Sequence, residues 1–153
     1  MTPYLPHEER FFVATKCCLF VNGKLLVIRE KKSNKDSHWE LPGGKISKGE
    51  KDDDLIISLE RELLEELGDS FGVKENAQLF HIQKVYEKAF HSDEILPFIF
   101  LCYILELNEM PQIRLSDEHV MYKWIHESEI DSLQPWRNHF NTIAKKAFES
   151  KNI

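Results

Sequence analysis

Glu62, Glu65 and Glu66 stand at positions i, i+3 and i+4 of the segment Arg61-Glu62-Leu63-Leu64-Glu65-Glu66-Leu67-Gly68, whose apolar spacing is helical. At ~100° per residue the three carboxylates share an arc of roughly 100° on the helix surface, with Glu66 falling angularly between Glu62 and Leu59, beside the apolar stripe. Such a cluster belongs at the rim of a cleft. Two of the three acids also fall in the last turn before Gly68, where the helix dipole disfavours negative charge by roughly 0.3–1 kcal/mol apiece. Helix stability alone would not select that arrangement. A divalent cation would, because hard oxygen donors lose their mutual repulsion through the ion while positions stay open for a substrate. Mg²⁺ is the expected ion, with Mn²⁺ able to substitute. Taken alone, an acidic pair on a helix is more often a solvated face; the residues in front of it alter that balance.

Gly43 and Gly44 can bring backbone close to a ligand, Lys45 can meet a phosphate oxygen, and Gly49-Glu50 leads back toward the helix. A double glycine after proline is in itself only a turn, and the Gly-x-x-x-x-Gly-Lys-Ser/Thr pattern of a phosphate-binding loop is absent. In combination the residues are specific. Gly44, five residues, Glu50, and then Arg61-Glu62-Leu63-Leu64-Glu65-Glu66-Leu67-Gly68 resemble the signature of the Nudix hydrolase family, and Trp39-Glu40-Leu41-Pro42-Gly43-Gly44-Lys45 is similar to its flanking sequence. Two features depart from the family pattern. Ten residues rather than seven separate Glu50 from Arg61, an insertion near Asp52-Asp53-Asp54, and Asp69 stands where the family has an apolar residue. Neither removes a carboxylate from the triplet, because register within a helix depends only on local spacing.

The resemblance implies an α/β/α sandwich with a mixed β-sheet, and Mg²⁺-dependent cleavage of the pyrophosphate linkage in a nucleoside diphosphate joined to another group. By motif position it makes Glu62, Glu65 and Glu66 the metal ligands, with the Gly43 carbonyl as a further one, and any of the carboxylates able to orient water. Arg61 would hold a motif glutamate in place, as opposed to forming an ordinary intrahelical ion pair. Gly44 and Lys45 would meet substrate. The general base is open among the motif acids and Asp93, Glu94, Asp117 and Glu118. A module of the same fold that binds or senses a nucleotide with little turnover is the alternative, against which the intact acidic triplet weighs. Diphosphate isomerisation, known in relatives of the fold, lacks securely matched residues here.

The elements that must position these residues are legible in outline. Phe11 to Val21 reads as a strand, Asn22-Gly23 as a hairpin turn and Leu25 to Ile28 as its partner. Trp39-Glu40-Leu41 is a short extended piece stopped by Pro42-Gly43-Gly44, with loops before and after it. Leu55, Ile56, Leu59, Leu63 and Leu67 predict a helix over 54–67 that ends at Gly68. Strands follow at Gln78 to Phe90, Ile95 to Leu107 and Val120 to His126. Ser128-Glu129-Ile130-Asp131 resembles a helix start, and Trp136 to Phe148 reads as an amphipathic helix.

At 153 residues, with 42% hydrophobic and 30% charged residues, the chain suits one domain over 1–153 with its own core. No stretch reaches the ~18 apolar residues of a membrane span, and the start carries no basic-then-apolar leader, so a cytoplasmic protein without a membrane partner is expected. The formal net charge of −6 argues against a nucleic-acid polymer as partner and leaves a small nucleotide-type substrate held through a cation. A homodimer is compatible with the sequence but nothing specifies it. Three cysteines, an odd number, suggest reduced thiols, and adjacent Cys17 and Cys18 would point to opposite faces of a strand, a poor joint metal site. Tyr86, Trp39, Phe11 and Phe12 are aromatic candidates for a substrate platform, with packing the plainer role for each.

Overall fold

The computed structural model describes residues 7–31, 37–47, 54–88, 94–137 and 139–151. Strand β1 (Phe12–Val21) turns through Asn22 and Gly23, at φ 51° and 77°, into β2 (Lys24–Glu30). An Asn-Gly pair favours this two-residue hairpin because both positions need positive φ. The two strands pair only beside the turn, at Phe20–Leu25 and Val21–Lys24. Farther along, β3 (Trp39–Glu40) pairs with β2 and β4 (Gly43–Lys45) pairs with β1, so residues 39–45 enter the fork between them as a wedge. The Gly43-Gly44 stop expected after β3 is thus itself a strand. Its first residue lies against β1 so closely that a Cβ at Gly43 would overlap the Thr15 carbonyl oxygen, which is why glycine permits the pairing.

On its other edge β1 pairs in parallel with β6 (Ile95–Leu107), which pairs antiparallel with β5 (Gln78–Lys88). Strand β7 (His119–Ile125) runs antiparallel along β2 with a bulge at Arg29/Glu30. Among the described residues the result is a mixed seven-stranded sheet. Helix α1 (Ile56–Leu67) covers one face, where Leu59, Leu63 and Leu67 pack with Cys17, Leu19, Leu26, Ile28 and Leu105. Helix α3 (Phe140–Lys151) covers the other, where Phe140, Ile143, Ala144 and Phe148 pack with Cys18, Phe20, Val27, Phe100 and Cys102. Each fully buried leucine here contributes ~1.5–3 kcal/mol. The expected α/β/α layering with a mixed sheet is therefore the observed fold.

Cys17 and Cys18 do face opposite layers, and all three cysteines are buried thiols. Burial pushes Cys17 and Cys102 up to about 12, which makes them packing residues and not nucleophiles. Three boundaries differ from the periodic pattern. A four-residue helix α2 (Val73–Asn76), too short to show a period, follows α1. A 3-10 turn at Glu127–Glu129 takes the place of the helix start expected at 128–131. α3 begins at Phe140 rather than Trp136, because Trp136 bridges to Trp39 and Arg137 donates its N–H to the Trp39 carbonyl at 2.9 Å. No helix of the described residues is long and apolar enough to cross a membrane.

Candidate active site

The acidic helix owes its position to both of its ends. At its start Asp54 Oδ1 accepts the Ile56 N–H at 3.1 Å, and Arg61 to Leu67 lies within one continuous helix. Glu50, Asp52 and Asp53 lie outside the described residues. At its end Gly68, at φ 86°, donates to the Leu64 carbonyl at 3.1 Å in the left-handed cap that glycine favours. The terminal carbonyls of Glu66 and Leu67 accept N–H groups of Ser116 and Arg114 at 3.1 and 2.9 Å. These bonds dock the segment that carries Asp117, Glu118 and His119 beside the acids.

The three helix acids do not share one environment. Glu66 is 4% exposed; its Oε1 accepts the Gly43 N–H at 3.0 Å, and its Oε2 lies 3.5 Å from His119 Nε2. Burial pushes its carboxyl well above the usual carboxylate range, Glu40 and Glu62 add to the rise, and Lys16 and the Gly43 N–H oppose it. Glu62 is raised mainly by partial burial and further by Glu65, with Arg61 opposing. The Glu65 side chain, 57% exposed, lies at the rim of the cleft. Arg61 ties the outer pair together: Nη1 lies 3.1 Å from Glu62 Oε1 and 3.2 Å from Glu65 Oε1, while Nη2 donates to the Lys45 carbonyl at 3.3 Å. It is therefore more than an intrahelical partner, since it also joins the helix to β4.

Gly44 faces this helix. A Cβ there would lie within 2.6 Å of all three carboxyl-group atoms of Glu62, so the missing side chain is the space that the Glu62 carboxylate fills. The Lys45 ammonium rests 5.6 and 5.7 Å from the ring centroids of Phe12 and Phe98 and lines the cleft. The Gly43 carbonyl accepts a hydrogen bond at 3.2 Å from Lys16 Nζ, which also donates to the Leu41 carbonyl at 3.2 Å.

Several further residues of the site lie outside the acidic motif. His119 Nε2 is 3.0 Å from Glu40 Oε1, and the donor atoms of Glu40, Glu66 and His119 lie within 4.8 Å of one another. Burial would raise Glu40, but Lys16, the His119 hydrogen bond and charge, and Arg137 outweigh it and bring the carboxyl down to about 2. Arg137 pairs closely with Glu30 and lies 3.6 Å from both Glu40 and Glu87, whose charges hold its guanidinium protonated against burial. The only hints in sequence are Lys16, the sole charge in an apolar strand, and a histidine directly after Asp117-Glu118.

These groups surround a cleft of about 650 Å³. The acids of α1, Lys45, Asp117 and Glu118 line it, as do the apolar Leu96, Phe98, Phe100 and Phe140. Among the base candidates Asp117 and Glu118 line the cleft, Glu94 is not among its lining residues, and Asp93 lies outside the described residues. Among the aromatic candidates Tyr86 is 54% exposed beneath Lys84 and Trp39 is buried under Arg29 and Lys123; neither lines the cleft. Hard oxygen donors, raised carboxyls and a neighbouring ammonium suit a divalent cation and a polyanion together.

Comparison with solved structures places this fold among known ones. The chain is similar to the MutT protein of Methanosarcina mazei (20% identity, TM-score 0.68, covering 95% of this chain and 97% of that one). It is similar also to the NUDIX domain of Shewanella oneidensis NrtR in complex with ADP ribose (16%, TM-score 0.73, 97% and 94%). A third is a C. elegans Ap4A hydrolase in a binary complex (19%, TM-score 0.68, 92% and 97%). At these identities the likeness is one of fold. No curated protein sequence matches the chain. The NUDIX domain family model, however, matches residues 10–145, nearly the whole length and all of the motif. The chain belongs to the Nudix family.

Proposed function

We propose that this protein is a divalent-metal-dependent pyrophosphohydrolase that cleaves the pyrophosphate linkage of a nucleoside diphosphate joined to another group, with Mg²⁺ as the working ion. The observation that carries this reading is Glu66, a nearly fully buried carboxylate whose charged form is disfavoured by its surroundings and which opens on a cleft beside Glu62. Burying a carboxylate against like charge is costly unless a cation is expected there. When bound, a divalent ion supplies charge to the nonbridging and leaving oxygens of the phosphoryl transition state and sharpens the acidity of an attacking water.

The chain's own residues do the rest. Glu62 and Glu66 hold the ion, with Glu65 reaching it from the rim. Arg61 fixes the Glu62 and Glu65 carboxylates and ties them to β4. Gly44 admits the Glu62 carboxylate beside the backbone, and Lys45 meets a phosphate oxygen. Asp117 or Glu118 takes the proton from water. Leu96 and Phe98, at the apolar part of the cleft lining, pack against the organic part of the substrate.

Incubating the protein with a panel of nucleoside diphosphate derivatives and identifying products by phosphorus NMR tests this reading. The expected result is two phosphate-bearing products from at least one compound, formed with Mg²⁺ or Mn²⁺ and not with a chelator. Binding of a nucleotide without cleavage of any compound would instead favour a sensing module.

A further inference from the structure

Lys16 is the sole charged side chain of β1, and the β1–β4 register sets its Cα opposite that of Gly43. Only 7% exposed, it turns its ammonium onto the wedge, with Nζ 3.2 Å from the carbonyl oxygens of both Leu41 and Gly43 and 5.0 Å from the Phe140 ring centroid. A buried ammonium is stable only where oxygens replace its water, and here the wedge supplies two. Its charge also reaches the acids, acting on Glu66, Glu40 and Glu62 together. It opposes, without cancelling, the burial that raises Glu66 and Glu62.

We propose that Lys16 is the resident cation of the Gly43 carbonyl, so that divalent ions are held by the α1 carboxylates without that oxygen. The inference rests on the metal-centre reading above and revises one part of it, the place of Gly43 among the ligands. A divalent ion on the same oxygen would face the ammonium at close range, where the low local dielectric strengthens like-charge repulsion. Neither partner is free to turn away. Gly43 is held by pairing to β1 and by its N–H to Glu66. Lys16 is nearly buried and would give up both carbonyls at once on turning away.

Counting bound Mn²⁺ by electron paramagnetic resonance in wild type and Lys16→Met tests the proposal, since methionine keeps an unbranched side chain, one atom shorter, and removes its charge. The variant is expected to bind one more Mn²⁺ per chain, or to bind Mn²⁺ at least tenfold more tightly, and to gain more melting temperature from Mn²⁺ than wild type does. Equal stoichiometry and affinity in the two proteins would overturn it. If Lys16→Met does not fold, wild-type crystals grown with Mn²⁺ alone decide. Anomalous density at the α1 carboxylates with Lys16 still on the Gly43 oxygen supports the proposal, and density on that oxygen with Lys16 displaced overturns it. Absence of Mn²⁺ binding in both proteins would instead bring down the metal-centre reading, and the inference with it.

Discussion

Gly43 and Gly44 are adjacent and chemically identical, yet they refuse a side chain for different reasons. At Gly43 the obstacle is backbone: φ is 135°, and a Cβ would strike Thr15 and Lys16 main-chain atoms. At Gly44 it is the carboxylate of Glu62, the end of a flexible side chain. Gly43→Ala is therefore expected to destabilise the fold by about 2 kcal/mol or more. Gly44→Ala should keep its melting temperature within ~2 °C of wild type, a shift that corresponds to less than ~1 kcal/mol in a chain of this size, while turnover falls at least ~10-fold as Glu62 is displaced. Thermal melts and initial rates on the two variants separate the cases. Glu66→Gln, which keeps volume and loses charge, should lower turnover at least ~100-fold with the fold intact; near-wild-type turnover would remove Glu66 from the ion.

At the scale of elements, α1 is held between β4 and the 114–116 segment, and Arg61 and Glu66 are side chains that tie it to β4. Lysine has a single ammonium and cannot span Glu62, Glu65 and the Lys45 carbonyl at once. Arg61→Lys should therefore weaken Mn²⁺ binding several-fold by calorimetry while changing stability by less than ~1 kcal/mol; unchanged affinity would reduce Arg61 to a surface ion pair. The helix itself was legible because five apolar residues at spacings of three and four, closed by a glycine, leave few other structures to adopt. The wedge was not. Pro42-Gly43-Gly44 carries the composition of a turn, and its strand character comes from the opening between β1 and β2, a long-range event that local sequence does not encode. Glu40, His119 and Arg137 escaped notice for the same reason: each reaches the cleft through pairing of distant strands, and only Glu40 lies beside the motif.

Across the whole molecule the buried acids make stability depend on pH in two opposite ways. Glu66 holds its proton more tightly folded than unfolded. Its contribution is full below the ordinary carboxylate value of 4.5 and is lost as pH rises through its raised folded value. Glu40 is the reverse: its contribution is present above 4.5 and is lost as pH falls toward about 2. In melts of the metal-free protein, Glu66→Gln should thus match wild type at acid pH and exceed it by ~2 °C or more at pH 8, whereas Glu40→Gln should lose its deficit as pH falls below 4.5. A deficit for Glu66→Gln that grows with pH would contradict the assigned direction. The account as a whole turns on whether cations occupy the space between the α1 acids and a bound diphosphate. A crystal structure with Mg²⁺ and a non-hydrolysable nucleotide analogue measures this directly. The account predicts at least one ion at ~2.0–2.2 Å from oxygens of Glu62 or Glu66 and bridged to a phosphate oxygen; the nucleotide bound with those carboxylates turned to solvent, far from any ion, would contradict it.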